Sequence, residues 1–260
     1  MPAQMEVSIP TSRSDAERVF GHAAEITVVS GGTIVMPALR SGRLAPKHVM
    51  LLTRAGLDRI ERERDRLRIG AAARLADLAE LPEPLVSAVR GVADPEIRAQ
   101  ATIGGNVCAN GHAGAPLGDL QGPLIAMDAK VRWTDGADER LDDVEHFLRR
   151  SPDRRLVLGL EMAVPEHGAF AALRRPHSHG YTPISVSAAV VRGELRLGAT
   201  GLASHGVRLR SPEDPTPIDG DQLEPPDDAL ASAWYRRQML PVLIRRCLAR
   251  IGSAPVEGER

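Results

Sequence analysis

Apolar and polar positions along this chain follow two rhythms, and the change between them falls near Pro165. Before it, short apolar runs of strand length alternate with segments of helical spacing. Glu25-Ile26-Thr27-Val28-Val29 and His48-Val49-Met50-Leu51-Leu52 read as buried strands, and Arg66-Leu67-Arg68-Ile69-Gly70 alternates as a half-exposed strand does. Helical spacing predicts a helix over residues 14–23 opened by Ser14 as N-cap, one or two turns over 33–39, and short helices over 75–81 and 83–91. Pro95 introduces an extended approach to residues 101–106. Beyond them the pattern predicts helix from Asp119 to Ala129, strand over 130–134, helix over 141–150 and a strongly apolar strand over 155–163.

After Pro165, residues 170–175, 184–191 and 194–201 read as successive strands, with Arg192-Gly193 as a tight hairpin turn between the last two. A Pro- and Asp-rich stretch over 211–228 reads as a surface linker. An amphipathic helix then runs from about residue 228 to 251, interrupted or kinked at Pro241. An α/β part followed by antiparallel strands and a helix implies two domains of different construction. The boundary falls at residues 1–165 and 166–260.

Composition narrows the functional classes. The 260 residues are long enough for two cores. A net charge of −1 argues against a nucleic-acid or membrane-surface role. The arginines of residues 59–68 are interleaved with acids and read as a solvated surface segment. There is neither a membrane-length apolar run nor a signal-peptide pattern at the start, so the expected location is cytoplasmic. Two cysteines, Cys108 and Cys247, allow no disulfide framework and no four-thiolate site. Aromatics at 3% leave few rings to stack on a ligand.

The candidate chemistry lies in two glycine pairs. Val28-Val29-Ser30-Gly31-Gly32-Thr33-Ile34 and Ala101-Thr102-Ile103-Gly104-Gly105-Asn106 each bring β-branched residues into Gly-Gly. Glycine reaches positive φ cheaply, and its missing Cβ lets phosphates approach backbone N–H groups. Two such turns suggest two backbone cradles closing on one elongated, phosphate-bearing ligand. A pair taken singly is more often a plain tight turn. Neither carries the G-x-G-x-x-G of a Rossmann unit or the Gly-Lys-Ser/Thr of a P-loop. His177-Ser178-His179, with His112 and Cys108, offers a metal set without any characteristic spacing, so a loop bordering a ligand or partner is favoured.

Together the two stretches resemble the FAD-contacting loops of the medium, flavin-binding subunit of molybdenum hydroxylases, the family of carbon monoxide and xanthine dehydrogenases. The family's Ala-Thr-Ile-Gly-Gly-Asn is matched in full by residues 101–106, whereas its Ala-Gly-Gly-Thr-Asp/Asn is matched with departures at Ser30 and Ile34. Leu67-Arg68-Ile69-Gly70-Ala71, Asp119-Leu120, Leu124-Ile125-Ala126-Met127-Asp128-Ala129 and Ser232-Ala233-Trp234-Tyr235-Arg236-Arg237 resemble further family segments in the right order.

That resemblance implies an α+β fold: a two-lobed FAD-binding domain of the PCMH (vanillyl-alcohol oxidase-like) type, plus a smaller C-terminal domain with a short antiparallel sheet and helices. It implies FAD as cofactor, with Gly31, Gly32, Thr33, Thr102, Gly104, Gly105 and Asn106 on the pyrophosphate. Ser30, Ile34, Ala101 and Cys108 would lie beside them. Asp119 would accept from a ribose or ribityl hydroxyl, or cap the following helix, or both. Tyr181 would edge the flavin ring or be a half-buried core aromatic. Implied partners are a molybdenum-cofactor large subunit and a two-iron two-sulfur small subunit in a hetero-oligomer, with this chain as the electron-transfer subunit. A stand-alone FAD-dependent oxidoreductase and a non-catalytic FAD-binding protein are the alternatives. No acid, base or nucleophile constellation stands out, and Tyr235-Arg236-Arg237 reads as tying the terminal helix to the sheet. The loop from Cys108 to Gly118 is longer than the family's, and a basic residue that the family often has near Leu173 is here Ala172, with Arg174, Arg175 or nothing in its place.

Overall fold

The computed structural model describes residues 5–110, 117–150, 154–173, 181–217 and 223–252. The chain opens with β1 (Glu6–Ser8), α1 (Arg13–His22), β2 (Thr27–Val29), α2 (Val35–Arg40) and β3 (His48–Leu51), and the strands form a parallel sheet in the order β1-β3-β2. The cap of α1 is Ser12, two residues earlier than Ser14; its hydroxyl accepts from the Asp15 amide at 3.1 Å. Ala16 and Phe20, one turn apart, are the residues α1 buries.

Next come β4 (Ile60–Glu63), β5 (Arg66–Gly70), α3 (Leu85–Gly91), α4 (Pro95–Arg98), α5 (Ile103–Val107), α6 (Gln121–Ala126), β6 (Lys130–Thr134), β7 (Glu139–Asp143), α7 (Val144–Arg149) and β8 (Leu156–Ala163). Their strands form an antiparallel sheet ordered β4-β5-β8-β6-β7. Two expectations are corrected here and one is extended. The charged run holds an edge strand, β4, whose charges stand in solvent and discourage pairing with another chain. Asp94 caps a turn of helix at Pro95, accepting from the Ile97 amide at 2.7 Å, so the approach to residue 101 is helical rather than extended. The helix expected from 141 starts only at Val144, because Leu141 to Asp143 pair with β6.

The inner face of this sheet carries Leu67, Ile69, Val131, Trp133, Leu160 and Met162 into one core with Leu85, Val89, Ile103, Leu120 and Leu124 from the helices. Trp133 packs edge-on to Phe147. Trp234 is 67% exposed.

The last part comprises β9 (His167–Ala172), β10 (Ser185–Val191), β11 (Glu194–Thr200), β12 (Val207–Leu209) and α8 (Ala233–Gly252). The four strands form an antiparallel sheet ordered β12-β11-β10-β9, in which β12 is an element the periodicity did not signal. Positive φ at both Arg192 and Gly193 (53° and 76°) makes the β10–β11 connection a type I′ hairpin, as expected. Helix α8 begins five residues later than expected, since Asp228 instead accepts from the Leu230 and Ala231 amides in a turn, and it runs on through Pro241. Leu240, Leu243, Ile244 and Cys247 of α8 cover one face of the sheet. The other face meets α6, where Gly198 sits so close to Gly122 that a Cβ would fall 2.1 Å from its carbonyl oxygen. The Gly122 amide, an otherwise orphaned donor in the first turn of α6, is satisfied by Thr200 Oγ1 at 3.0 Å.

Candidate functional site

A cleft of about 480 Å³ opens between the β2–α2 loop and the start of α5, and every candidate site residue borders it: Ser30, Gly31, Gly32, Thr33, Ile34, Ala101, Thr102, Gly104, Gly105, Asn106, Cys108, Asp119 and Tyr181. The two glycine segments touch each other. A Cβ on Gly31 would lie 2.1 Å from the Gln100 carbonyl oxygen and 2.9 Å from Ala101 Cα, so only glycine lets the first loop rest against the second. Gly32 follows with φ +72°, a left-handed conformation that turns the chain from β2 into α2.

The amides of Gly31, Gly32, Thr33 and Ile34 donate to no other described residue, although the Gly32 carbonyl accepts from Met36 at 2.9 Å. Successive unpaired N–H groups at a cleft wall form a concavity suited to an anion.

The second segment is built otherwise. It is no strand-to-glycine turn: Thr102 is the N-cap of α5, and both glycines lie inside that helix. Its amides are largely committed: Ile103 to Ala73 O at 3.0 Å, Gly104 to Ala71 O at 2.9 Å, Asn106 to Thr102 O at 2.9 Å and, at a long 3.3 Å, Gly105 to Thr102 Oγ1. Gly104 is buried, and a Cβ there would meet Ala71 O at 2.7 Å, so this glycine serves packing against the end of β5. Gly105 is exposed, and its Cβ would meet only Thr102 Oγ1 at 3.1 Å. What the second segment offers a ligand is therefore a bare surface more than a row of donors. The Asn106 side chain looks inward, accepting from the Leu120 amide at 2.9 Å and fixing α5 to the start of α6.

Asp119 does not cap α6, whose N-cap is Leu120 without a side-chain bond. It holds Thr182 instead, through both the hydroxyl and the amide of that residue. Part of Asp119 faces the cleft, but protein encloses the carboxyl, and that burial pushes its pKa up to about 6 against the opposing hydrogen bonds. Cys108 is exposed to the cleft rather than buried, yet enough protein surrounds it that desolvation pushes the thiol up to about 11, which keeps it neutral. Tyr181, at 53% exposure, is not a half-buried core aromatic.

Pattern reasoning missed Thr182, Arg155 and the Val92-Ala93-Asp94 turn, all of which border the cleft. Asp94-Pro95 is a helix-start signature that could have flagged the turn. Arg155 donates to the Phe147 and Arg150 carbonyls at 2.7 and 2.9 Å and lies 4.5 Å over the Phe147 ring, local contacts that the pattern of apolar and polar positions does not show. His112, Arg174, Arg175, His177 and His179 lie outside the described residues, as does the interior of the Cys108–Gly118 loop. Among the described residues no three His, Cys, Asp or Glu side chains gather to hold a metal, and no helix is long and apolar enough to cross a membrane.

The sequence model of the FAD binding domain in molybdopterin dehydrogenase matches residues 3–162. The chain belongs to that family. This molybdopterin-dehydrogenase FAD-binding chain is 27% identical to the alpha subunit of the 6-hydroxypseudooxynicotine dehydrogenase complex of Paenarthrobacter nicotinovorans, over 96% of this chain and 95% of that one. Its mixed helix-and-sheet fold superposes on carbon monoxide dehydrogenase from Oligotropha carboxidovorans with a TM-score of 0.81 at 22% identity, covering 98% of this chain and 100% of that one. Quinoline 2-oxidoreductase from Pseudomonas putida 86 gives 0.79 at 16% identity, covering 95% and 96%. The cleft suits the family's cofactor: its lining includes amides that donate to no other described residue and a glycine without side-chain bulk, which together leave donors and room for an anionic group.

Proposed function

We propose that this chain is the FAD-carrying electron-transfer subunit of a heteromeric molybdenum-containing hydroxylase or dehydrogenase. A molybdenum-cofactor large subunit and a two-iron two-sulfur small subunit would be its partners, and the cytoplasm its location. Family membership supports FAD binding, and the relatives named as a complex subunit support the assembly. When bound, the flavin supplies one- and two-electron redox chemistry. The chain's own residues bind and orient it.

The amides of Gly31, Gly32, Thr33 and Ile34 would hold the pyrophosphate from one side, with Gly105 leaving room opposite. Thr102 would act through its cap. Asp119 would accept from a ribose or ribityl hydroxyl, and Val28, Leu52, Leu156 and Val157 give the cleft an apolar wall for the ring. In this reading the parallel and the five-stranded sheets are the two lobes of a PCMH-type domain over residues 1–165. Residues 166–260 form the smaller domain.

The observation that carries the proposal is that the four amides of Gly31 to Ile34, which donate to no other described residue, border the same cleft as the bare Gly105. Purified protein should be yellow, or become so with FAD, with bands near about 370 and 450 nm. It should turn over no organic substrate alone and should copurify with the two partner subunits when all three are expressed. A protein that refuses FAD contradicts the proposal. Substrate turnover by the isolated FAD-loaded chain would instead favour a stand-alone oxidoreductase.

A further inference from the structure

The most buried charged side chain among the described residues sits outside the cleft. Arg236, in the first turn of α8, is 1% exposed. A guanidinium loses several kcal/mol of hydration when enclosed unless its donors are all used. Here one arm donates to the Pro183 carbonyl and, at 3.2 Å, to the Gly201 carbonyl. The other arm meets Asp228 at 2.6 Å, and Nε reaches the Ala231 carbonyl at 3.3 Å. Burial works to raise Asp228, but the Ala231 and Leu230 amides and the guanidinium together hold it below its ordinary value, so this carboxyl is ionised at neutral pH.

Those partners are not arbitrary. Pro183 follows Tyr181 and Thr182, the only residues from beyond position 165 that border the cleft among those described. Ile184, next in line, is fully buried against the face covered by α8. Gly201, at φ +89°, has no Cβ to fall 2.1 Å from the Pro183 oxygen, which leaves that carbonyl clear for the guanidinium. Thr182 is tied on its other side to Asp119. Residues 181–184 are thus a short wall of the cleft, pinned from the cleft floor by a carboxylate and from behind by a buried cation.

We infer that Arg236 is a positioning residue for the cofactor cleft, holding the backbone at Pro183 so that Thr182 and Tyr181 face the flavin. It touches no cofactor. This rests on the FAD reading and extends the cofactor's determinants to the terminal helix, far from either glycine segment.

The test uses the full chain loaded with FAD, with release followed by recovery of free-flavin fluorescence and fold integrity by thermal unfolding. Leu243→Ala is the matched control, since Leu243 is fully buried under α8 and borders no part of the cleft. Arg236→Met should release FAD about tenfold faster than Leu243→Ala at equal loss of Tm, the equivalent of one charge-assisted hydrogen bond. Arg236→Lys should restore part of the difference, as a single ammonium replaces two of the bonds. Thr182→Val and Arg236→Lys should combine to less than the product of their separate effects, because both act through one segment. That pair also carries the test should Arg236→Met fail to fold. Equal release from Arg236→Met and Leu243→Ala, or strictly multiplying effects in the double variant, overturns the inference while leaving the FAD reading intact. A wild-type chain that takes up no FAD overturns both.

Discussion

The two glycine segments look alike in sequence and do opposite work. In the first, glycine serves the loop's own path: Gly31 permits backbone contact, Gly32 supplies a left-handed turn, and the amides beside the cleft donate to no other described residue. In the second, a threonine cap turns the same Gly-Gly into helix, and most of the amides are spent on the protein itself. A Gly-Gly motif therefore does not by itself denote a donor cradle. Whether its N–H groups are available depends on what precedes it, a side chain that caps or a strand that simply ends.

The sharpest way to break this contrast is to separate the segments. Gly31→Ala forces backbone against backbone at Gln100, a clash that no side-chain rotation relieves. Overpacking of this kind costs about 3 kcal/mol, or roughly 10 °C in Tm, and should abolish FAD retention as well. Unfolding scans with and without FAD check both, and wild-type values in each would show that the loops need not touch.

Next in size is Asp119. Its folded pKa of about 6 lies above the unfolded 3.8, so the folded state binds the proton more tightly. Stability of the FAD-free protein should be highest below about pH 4 as far as this group is concerned, fall as pH rises to about 6, and stay lowered above it. Asp119→Asn should remove that fall and raise stability at pH 7 by up to roughly 3 kcal/mol, while weakening FAD binding. A Tm–pH profile of the variant parallel to wild type would refute the enclosed carboxyl.

The smallest effect belongs to the cap. Thr102→Val deletes the hydroxyl that receives the Gly105 amide and should cost about 1 kcal/mol of stability. Since that amide is then released toward the cleft, FAD affinity should fall less than Gly31→Ala makes it fall. Parallel titrations compare them, and the reverse order would mean that the cap is itself part of the cradle.

Much of this site was legible because its residues are local. Gly31-Gly32-Thr33 and Thr102 to Asn106 are contiguous, and the match to a family pattern carries them without knowledge of tertiary contacts. The type I′ turn at Arg192-Gly193 was legible for the same reason: two residues decide it. What escaped depends on partners far along the chain. Thr182 matters through Asp119, and Arg236 through a carbonyl 53 residues away. The helical turn at Pro95 escaped because one turn of helix has no periodicity to read, and β12 because three residues cannot show alternation. The charged run was read as surface correctly, but its pairing with β5 is invisible where only one face is apolar.

Gly105 is where the account is most exposed. A side chain there meets nothing but the Thr102 hydroxyl and projects from a helix that gains slightly by losing a glycine. Gly105→Val should therefore leave the FAD-free protein as stable as wild type. The account predicts that FAD titration of this variant, followed by quenching of flavin fluorescence, shows affinity lowered by about a hundredfold or more. Wild-type affinity in a fully folded Gly105→Val protein would contradict the placement of the cofactor between the two loops.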